Sequence, residues 1–297
     1  MLALLSSSQL ELQNGPEMRT ASTLCTLRCM TGVSSEQHGD NVGEGINRSG
    51  HGFGIDIGGS GVKGAEVDFS TGEFVGERIK ISTPQPATPQ AVAEVVAQIV
   101  EQAGWDGPVG LTLPSVVVNQ VARTAANIDD SWIGCNVHNL FGAALGGRDV
   151  AVLNDADAAG LAEVAFGDEV CREGSVIFLT FGTGIGSAFL TDGALFANTE
   201  LGHLLIDGTE AEHIASSAVK DRDELSYKKW AKRVDKVLHE FERLFNPSAF
   251  VVGGGISRKS EKWVPELTVQ TPVMAAKLRN RAGIVGAAMA ARDHVAP

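Results

Sequence analysis

The chain has 297 residues, 43% of them hydrophobic and 20% charged, with a formal net charge of −12 at pH 7. That length can bury one large core or two of about 120 to 150 residues, and its apolar runs fall far short of the ~20 residues of a membrane span. The short apolar run of MLALLSSSQLELQ has no basic residues before it, so no secretory signal is expected.

Residues 1–51 read as a disordered extension, because TGVSSEQHGDNVGEGINRSGHG is rich in Gly, Ser and Asn and has little apolar surface to bury. Folded sequence is predicted from HGFGIDIGGSGVKGAEVDFSTGEFVGERIKIST onward, as strand, glycine turn, strand, turn, strand. PQAVAEVVAQIVEQAG has apolar residues at helical spacing and a Gly stop. PVGLTLPSVVV and DVAVLND read as buried strands, and the Ala-rich stretch after the latter as a helix. SVIFLTFGTGIGSAFLTDGALF repeats the opening strand, glycine turn, strand pattern. A long helix in LSYKKWAKRVDKVLHEFERLFN, a strand ending in glycines in AFVVGGGIS and a closing helix in GIVGAAMAARDHV complete the chain. The expected organisation is α/β with two lobes: a smaller one over 52–165, completed by a C-terminal helix over 283–297, and a larger one over 166–282.

Cys25, Cys29, Cys135 and Cys171 form neither a metal-ligand cluster nor a disulfide framework, so a cytoplasmic location is expected. Charge is divided by region. Residues 1–219 hold 9 Lys and Arg against 27 Asp and Glu, whereas residues 220–297 hold 15 against 9. An anionic partner for the last quarter is one reading, and a solvated helix face is the other.

Three glycine clusters each follow an apolar strand. Gly58, Gly59 and Gly61, with Ser60 and Lys63 beside them, can turn tightly and offer N–H groups to an anion. Gly182 and Gly184, with the Thr183 and Ser187 hydroxyls, repeat the device, and Gly253, Gly254 and Gly255 close a third strand. Each alone is equally a plain hairpin. Together, and with Asp56 beside the first, they fit a phosphate donor gripped from both lobes, with Asp56 orienting Mg²⁺ through water. No P-loop or dinucleotide fingerprint occurs in strand-to-helix context. Asp155 ends a buried strand and has two readings, as a helix cap or as a carboxylate planted in a cleft. On spacing alone, Glu200 and His203 read as an ordinary surface pair.

These turns, with LND between them and ELGH at 200–203, resemble the ROK family of sugar kinases, of the actin-like, ribonuclease-H-like superfold. The resemblance covers about residues 52–294. Within the family, ISTPQPATP, AANIDDSWIG, LFNPSAFVVGGGIS and LRNRAGIVGAAM resemble the polyphosphate-using branch of glucokinases and glucomannokinases. It implies phosphorylation of the 6-hydroxyl of glucose, with mannose a second acceptor, from polyphosphate and ATP, with Mg²⁺ accompanying the donor. It makes Asp155 the catalytic base and Glu200 and His203 the sugar-reading pair, with Asn127, Asn154 and Ser115 as further sugar contacts.

Many family members carry a Cys/His zinc site after ExGH. Residues 204–230 contain no cysteine, so no structural zinc is expected, and the acidic residue that often follows that motif has no clear counterpart. The alternatives are a strictly ATP-dependent hexokinase of the same family and a sugar-sensing repressor. The second lacks a DNA-binding element, since residues 1–51 hold only Arg19, Arg28 and Arg48 and no helix-turn-helix pattern. Neither a nucleic acid nor a membrane is expected as a partner; the resemblance allows a homodimer, for which the residues themselves carry no signal. At ~100° per residue, Lys228, Lys229, Lys232, Arg233 and Lys236 fall within an arc of ~140° on the long helix, opposite its apolar side. This stripe is either a solvated face or a track for polyphosphate.

Overall fold

Two five-stranded sheets of the same topology carry the architecture, and the first two glycine turns join the leading strands of each. The computed structural model describes residues 50–295 and 297, which fall within one compact unit, Asn47–Pro297. The extension expected over residues 1–51 therefore lies almost wholly outside the described residues.

The first sheet comes from β1 (His51–Gly58), β2 (Gly61–Asp68) and β3 (Glu73–Ile81), followed by α1 (Pro89–Gln102) and β4 (Val109–Leu113). A small hairpin, β5 (Val117–Val118) and β6 (Val121–Ala122), then α2 (Val137–Ala144), lead to β7 (Val150–Asn154). Its order is β3-β2-β1-β4-β7, with β1, β4 and β7 parallel and β2 antiparallel to both neighbours. After α3 (Asp155–Phe166) come β8 (Ser175–Phe181), β9 (Ile185–Thr191) and β10 (Ala194–Phe196). A two-stranded ribbon, β11 (Leu205–Ile206) and β12 (Thr209–Glu210), precedes α4 (Ala211–Ala215), α5 (Ser217–Arg222) and α6 (Tyr227–Phe245). β13 (Ala249–Gly253), β14 (Val273–Ala275) and α7 (Ala282–Arg292) finish the chain. The second sheet runs β10-β9-β8-β13-β14, the counterpart of the first strand for strand.

Local chemistry explains these elements. β4 and β7 are buried at all five positions, as expected of parallel strands covered on both faces. The strand expected over PVGLTLPSVVV stops at Leu113, because Pro114 has no N–H for the ladder. α1 starts on Thr88, whose hydroxyl accepts from Ala91 N, with Pro89 as its first residue.

Two small-residue helices hold the sheets together. α7 lies across β1 and β4, α3 packs on β8 and β9, and the two helices pack on each other. A Cβ at Gly110 would run into the Ala287 carbonyl, and one at Gly286 into that of Ala158. Glycine and alanine thus let backbone approach backbone. The middle layer, with Ala159, Ala162, Phe178, Ala188, Ile284, Val285 and Ala288, is a continuous buried cluster.

Candidate active site

Because β1, β4 and β7 are parallel, their carboxyl ends lie along one edge of the first sheet, and β8 brings Gly182 to the matching edge of the second. Between these edges opens a cleft of about 630 Å³. It gathers Gly58 and Gly59 from one glycine turn, Gly182, Thr183 and Gly184 from another, and Asp155. Ser115, Asn127, Asn154, Glu200 and His203 line it as well. Ligands of open α/β sheets commonly sit outside such strand ends.

The two readings of Asp155 separate here. The cap belongs to Asn154, whose Oδ1 accepts from Ala156 N at 2.8 Å and Asp157 N at 3.4 Å. Asp155 is the first helical residue, with Oδ1 2.9 Å from Ala156 N, and it opens into the cleft. Cleft walls crowd its carboxyl, and Asp56 and Glu200 add negative charge nearby; the proton affinity rises to about 6. Asn154 is less available to a sugar than its place in the motif implied. Its Oδ1 is taken by the cap and its Nδ2 is 3.3 Å from the Ser115 carbonyl. Ser115 is itself buried, its hydroxyl donating to Val116 O at 3.0 Å. Asn127 is exposed, with φ +62°, on the cleft wall facing Gly59.

On the opposite wall, Glu200 and His203 flank a single turn of 3₁₀ helix, Leu201–His203. A Cβ at Gly202 would strike the Ile185 carbonyl, so only glycine lets this turn press against the start of β9. His203 Nε2 lies 3.8 Å from Glu200 Oε2, and its Nδ1 3.3 Å from Glu210 Oε2. Burial raises the pKa of Glu200, against the pull of His203 and helped by Glu212. Glu212 is a cleft carboxylate that the sequence reading did not single out. It lines the cleft from α4, its Oε2 accepting from Ile185 N at 3.2 Å, with His213 beside it. In sequence, Glu212 looks like an acid favouring a helix start, and nothing local marks it as facing Glu200. The Ser187 hydroxyl is turned inward instead, donating to Thr199 O at 2.7 Å and accepting from Leu201 N at 3.0 Å, so it supports the Glu200 loop.

A buried carboxyl stands behind this wall. Asp157 is fully buried; its Oδ2 accepts from Asn198 N at 2.7 Å and its Oδ1 has no hydrogen-bond partner among the described residues. Burial, with smaller contributions from Glu200 and Asp155, pushes its proton affinity up to about 7. The Asn198 side chain bonds both Val117 N (2.9 Å) and Val117 O (2.8 Å), tying this wall to the β5–β6 hairpin.

Other expected site residues lie apart. Asp56 is one step back from the cleft: Oδ2 takes Lys63 Nζ at 2.8 Å and Oδ1 takes the Thr112 hydroxyl at 3.2 Å. Ser60 sits in the turn and Gly61 and Lys63 in β2, beyond the residues that line the cleft. Gly253, Gly254 and Gly255 do not line it either. Gly254, at φ +81°, backs onto the strand before the second turn, where an added Cβ would lie 2.5 Å from Phe181 O. On the α6 stripe, Lys228 pairs with Glu266 at 3.1 Å, Arg233 with Asp223 at 2.7 Å and Lys236 with Asp207 at 2.7 Å. Lys229 and Lys232 are exposed.

Among the described residues, two places have donors that suit a cation. Asp56 supplies one carboxylate whose remaining lone pairs, beside a phosphate chain, fit Mg²⁺ held through water. The charge it shares with Asp155 would be eased by a cation there. His203, Glu210 and Glu212 also bring one ligand atom each within 4.8 Å of one another, a set with no cysteine.

Residues 52–216 match the model of the ROK family. Polyphosphate glucokinase of Mycobacterium tuberculosis is 57% identical over 240 residues, covering 81% of this chain and 91% of that one. The crystal structure of inorganic polyphosphate/ATP-glucomannokinase from Arthrobacter sp. strain KM superposes with TM-score 0.78 at 46% identity, over 82% of this chain and 99% of that one. A ROK family glucokinase from Streptomyces griseus, solved with glucose and AMPPNP, gives TM-score 0.67 at 26% identity, over 82% of this chain and all of that one.

Proposed function

From its membership of the ROK family, to which this chain belongs, we propose the activity: it is a glucokinase that phosphorylates glucose on its 6-hydroxyl from inorganic polyphosphate or ATP. The observation that carries the reading is Asp155, freed from capping by Asn154 and set in one cleft with two glycine turns and the Glu200–His203 pair. Relatives that use polyphosphate, at 57% and 46% identity, support the donor. Mannose differs from glucose only at C2, and the glucomannokinase likeness supports it as a second acceptor.

The residues divide the work as follows. Glu200, His203, Glu212 and Asn127 hold the sugar hydroxyls; carboxylates accept, while imidazole and amide donate or accept. O6 then faces Asp155, which takes its proton as O6 attacks the terminal phosphorus. The O6–P bond forms, the bridging P–O bond breaks, and a polyphosphate one unit shorter, or ADP, leaves. At neutral pH a carboxyl with proton affinity near 6 is largely ionised yet basic enough to help, a contribution commonly worth ~10²–10⁴-fold. The Gly182 N–H closes its own turn onto Gly184 O at 3.0 Å, which leaves N–H groups of the Gly58–Gly59 and Thr183–Gly184 backbone for the donor oxygens, where preorganised dipoles favour developing charge. Mg²⁺, when bound with the donor, supplies positive charge to the transferring phosphoryl group, and Asp56 would hold its water shell.

We assign the cleft walls to lobes 52–165 with 283–297, and 166–282. Exposed Lys229 and Lys232, on the α6 stripe, extend a positive lane for a polyphosphate chain, supported by the concentration of positive charge in residues 220–297. Glucose 6-phosphate formation, followed side by side with ATP and with polyphosphate, tests the activity. Turnover with ATP alone would refute the polyphosphate reading and leave a strictly ATP-dependent glucokinase; no turnover with either would refute both.

A further inference from the structure

We propose that Lys220 and Lys262, gathered on the ring of Tyr227, form the site where a polyphosphate chain leaves the cleft; the proposal rests on the polyphosphate reading above. Tyr227 is the sole tyrosine of the chain. Lys220 Nζ lies 4.7 Å from its ring centroid and Lys262 Nζ 5.4 Å. The two ammonium groups are thus within about 10 Å of each other by geometry, on a ring whose electron-rich face attracts both. Lys220 also touches Asp221 at 3.2 Å, and Lys262 is exposed with no ion pair among the described residues.

The cluster is tied to the donor side of the cleft by two routes. Lys220 stands in α5, whose first turn is fastened to the cleft: Ser217 Oγ donates to Gly182 O at 2.9 Å, and Ala218 N to the same carbonyl at 3.1 Å. Lys220 follows Ser217 by three residues, roughly one helical turn. Lys262 ends the 3₁₀ segment Gly255–Lys262, which starts at the third glycine cluster, where Gly254 backs onto Phe181. Beyond it, Trp263 packs on Phe181 and on Trp230 of α6, with ring centroids 5.9 and 5.0 Å apart. A helix bonded to one glycine turn and a segment leaving another therefore converge on Tyr227, at the start of α6. A third role for the glycines of 253–255 follows. They shape the route outward, not the wall of the cleft.

The chemistry selects the ligand. Lys220 and Lys262 set two positive charges beside one ring, and successive units of a polyphosphate carry negative charge that can reach both. A nucleoside lacks that charge, and ammonium groups already occupy the ring it would stack on. Residues 1–219 carry 27 acidic against 9 basic side chains, so the attraction for a polyanion is concentrated in the last quarter of the chain, where Lys220 and Lys262 stand.

The test uses Lys220→Met, Lys262→Met and the double variant, with Tyr227→Phe as a control that keeps the ring. KM is measured for long-chain polyphosphate, tripolyphosphate, ATP and glucose at low and high salt. We expect the double variant to raise KM for long chains about tenfold at low salt, with the gap narrowing as salt screens the contact. KM for tripolyphosphate, ATP and glucose should stay within about twofold, and Tyr227→Phe should match the wild type. An equal rise for ATP would make the cluster part of the nucleotide site, and an unchanged KM for long chains would make it ordinary surface; either overturns the proposal. Wild-type protein without polyphosphate turnover would overturn the underlying reading and this site with it. Wild-type turnover with unaltered variants would overturn the site alone.

Discussion

Substituting Asp155 by Asn separates the two readings of this residue, because a different side chain carries the helix cap. Asn154 Oδ1 accepts from Ala156 N and Asp157 N, and that cap survives the change. An Asn at 155 keeps the volume and an oxygen for Ala156 N, but it cannot take a proton from O6. Loss of a general base is commonly worth ~10²–10⁴-fold, or about 2.7–5.5 kcal/mol on the barrier. We expect kcat with glucose to fall by ~10² or more with either donor, while glucose binding by calorimetry and the far-UV spectrum stay unchanged. The pH profile supplies an independent check. The Asp155 carboxyl holds its proton up to about pH 6, so wild-type kcat/KM should fall about tenfold per unit below that pH. The variant should lose that limb. The Asn154→Ala counterpart should give up about 1 kcal/mol of stability through the lost cap. If Asp155→Asn retained more than about a tenth of kcat, or lost stability as a cap mutant does, the base assignment would fail.

Asp157 makes stability depend on pH. Its folded proton affinity, near 7, lies above the ordinary carboxyl value, so the unfolded chain ionises first as pH rises. Asp157 should therefore contribute a decline in wild-type stability to urea between about pH 4 and 7, of as much as roughly 4 kcal/mol, beside smaller declines from Asp155 and Glu200; Asp157→Asn should make the slope in that window shallower, and an equal slope in both proteins would count against it. Lys229→Glu with Lys232→Glu should raise KM for long polyphosphate several-fold at low salt and leave KM for ATP alone, while an equal effect on both donors would reduce the stripe to a solvated face. Chelation with EDTA should abolish turnover and Mg²⁺ restore it, whereas elemental analysis finding one zinc per chain would place a metal on His203, Glu210 and Glu212 and refute the expected absence of a zinc site.

Much of this molecule is legible in one dimension. Strands, glycine turns and small-residue helices follow from local steric and burial rules that act over a few residues, and β1, β4, β7 and β8 fall where the apolar runs end in Gly, Pro or Asn. The paired pattern of strand, glycine turn, strand likewise foreshadows two sheets of one topology. What the linear order could not assign is how each polar group is spent once distant segments meet. Asn154 and Asp155 are neighbours in an apolar-to-helix junction, and only the packed helix start divides them into cap and cleft carboxylate. Glu212 reads as a helix-start acid until α4 folds against β9 and turns it toward Glu200. Gly253–Gly255 resemble the other two turns, yet they fall behind Phe181, and three cations of the α6 stripe meet carboxylates from three other segments. Backbone preferences are settled by near neighbours, whereas hydrogen-bond partners, desolvation and ion pairing depend on residues tens of positions away that only the folded chain brings into contact.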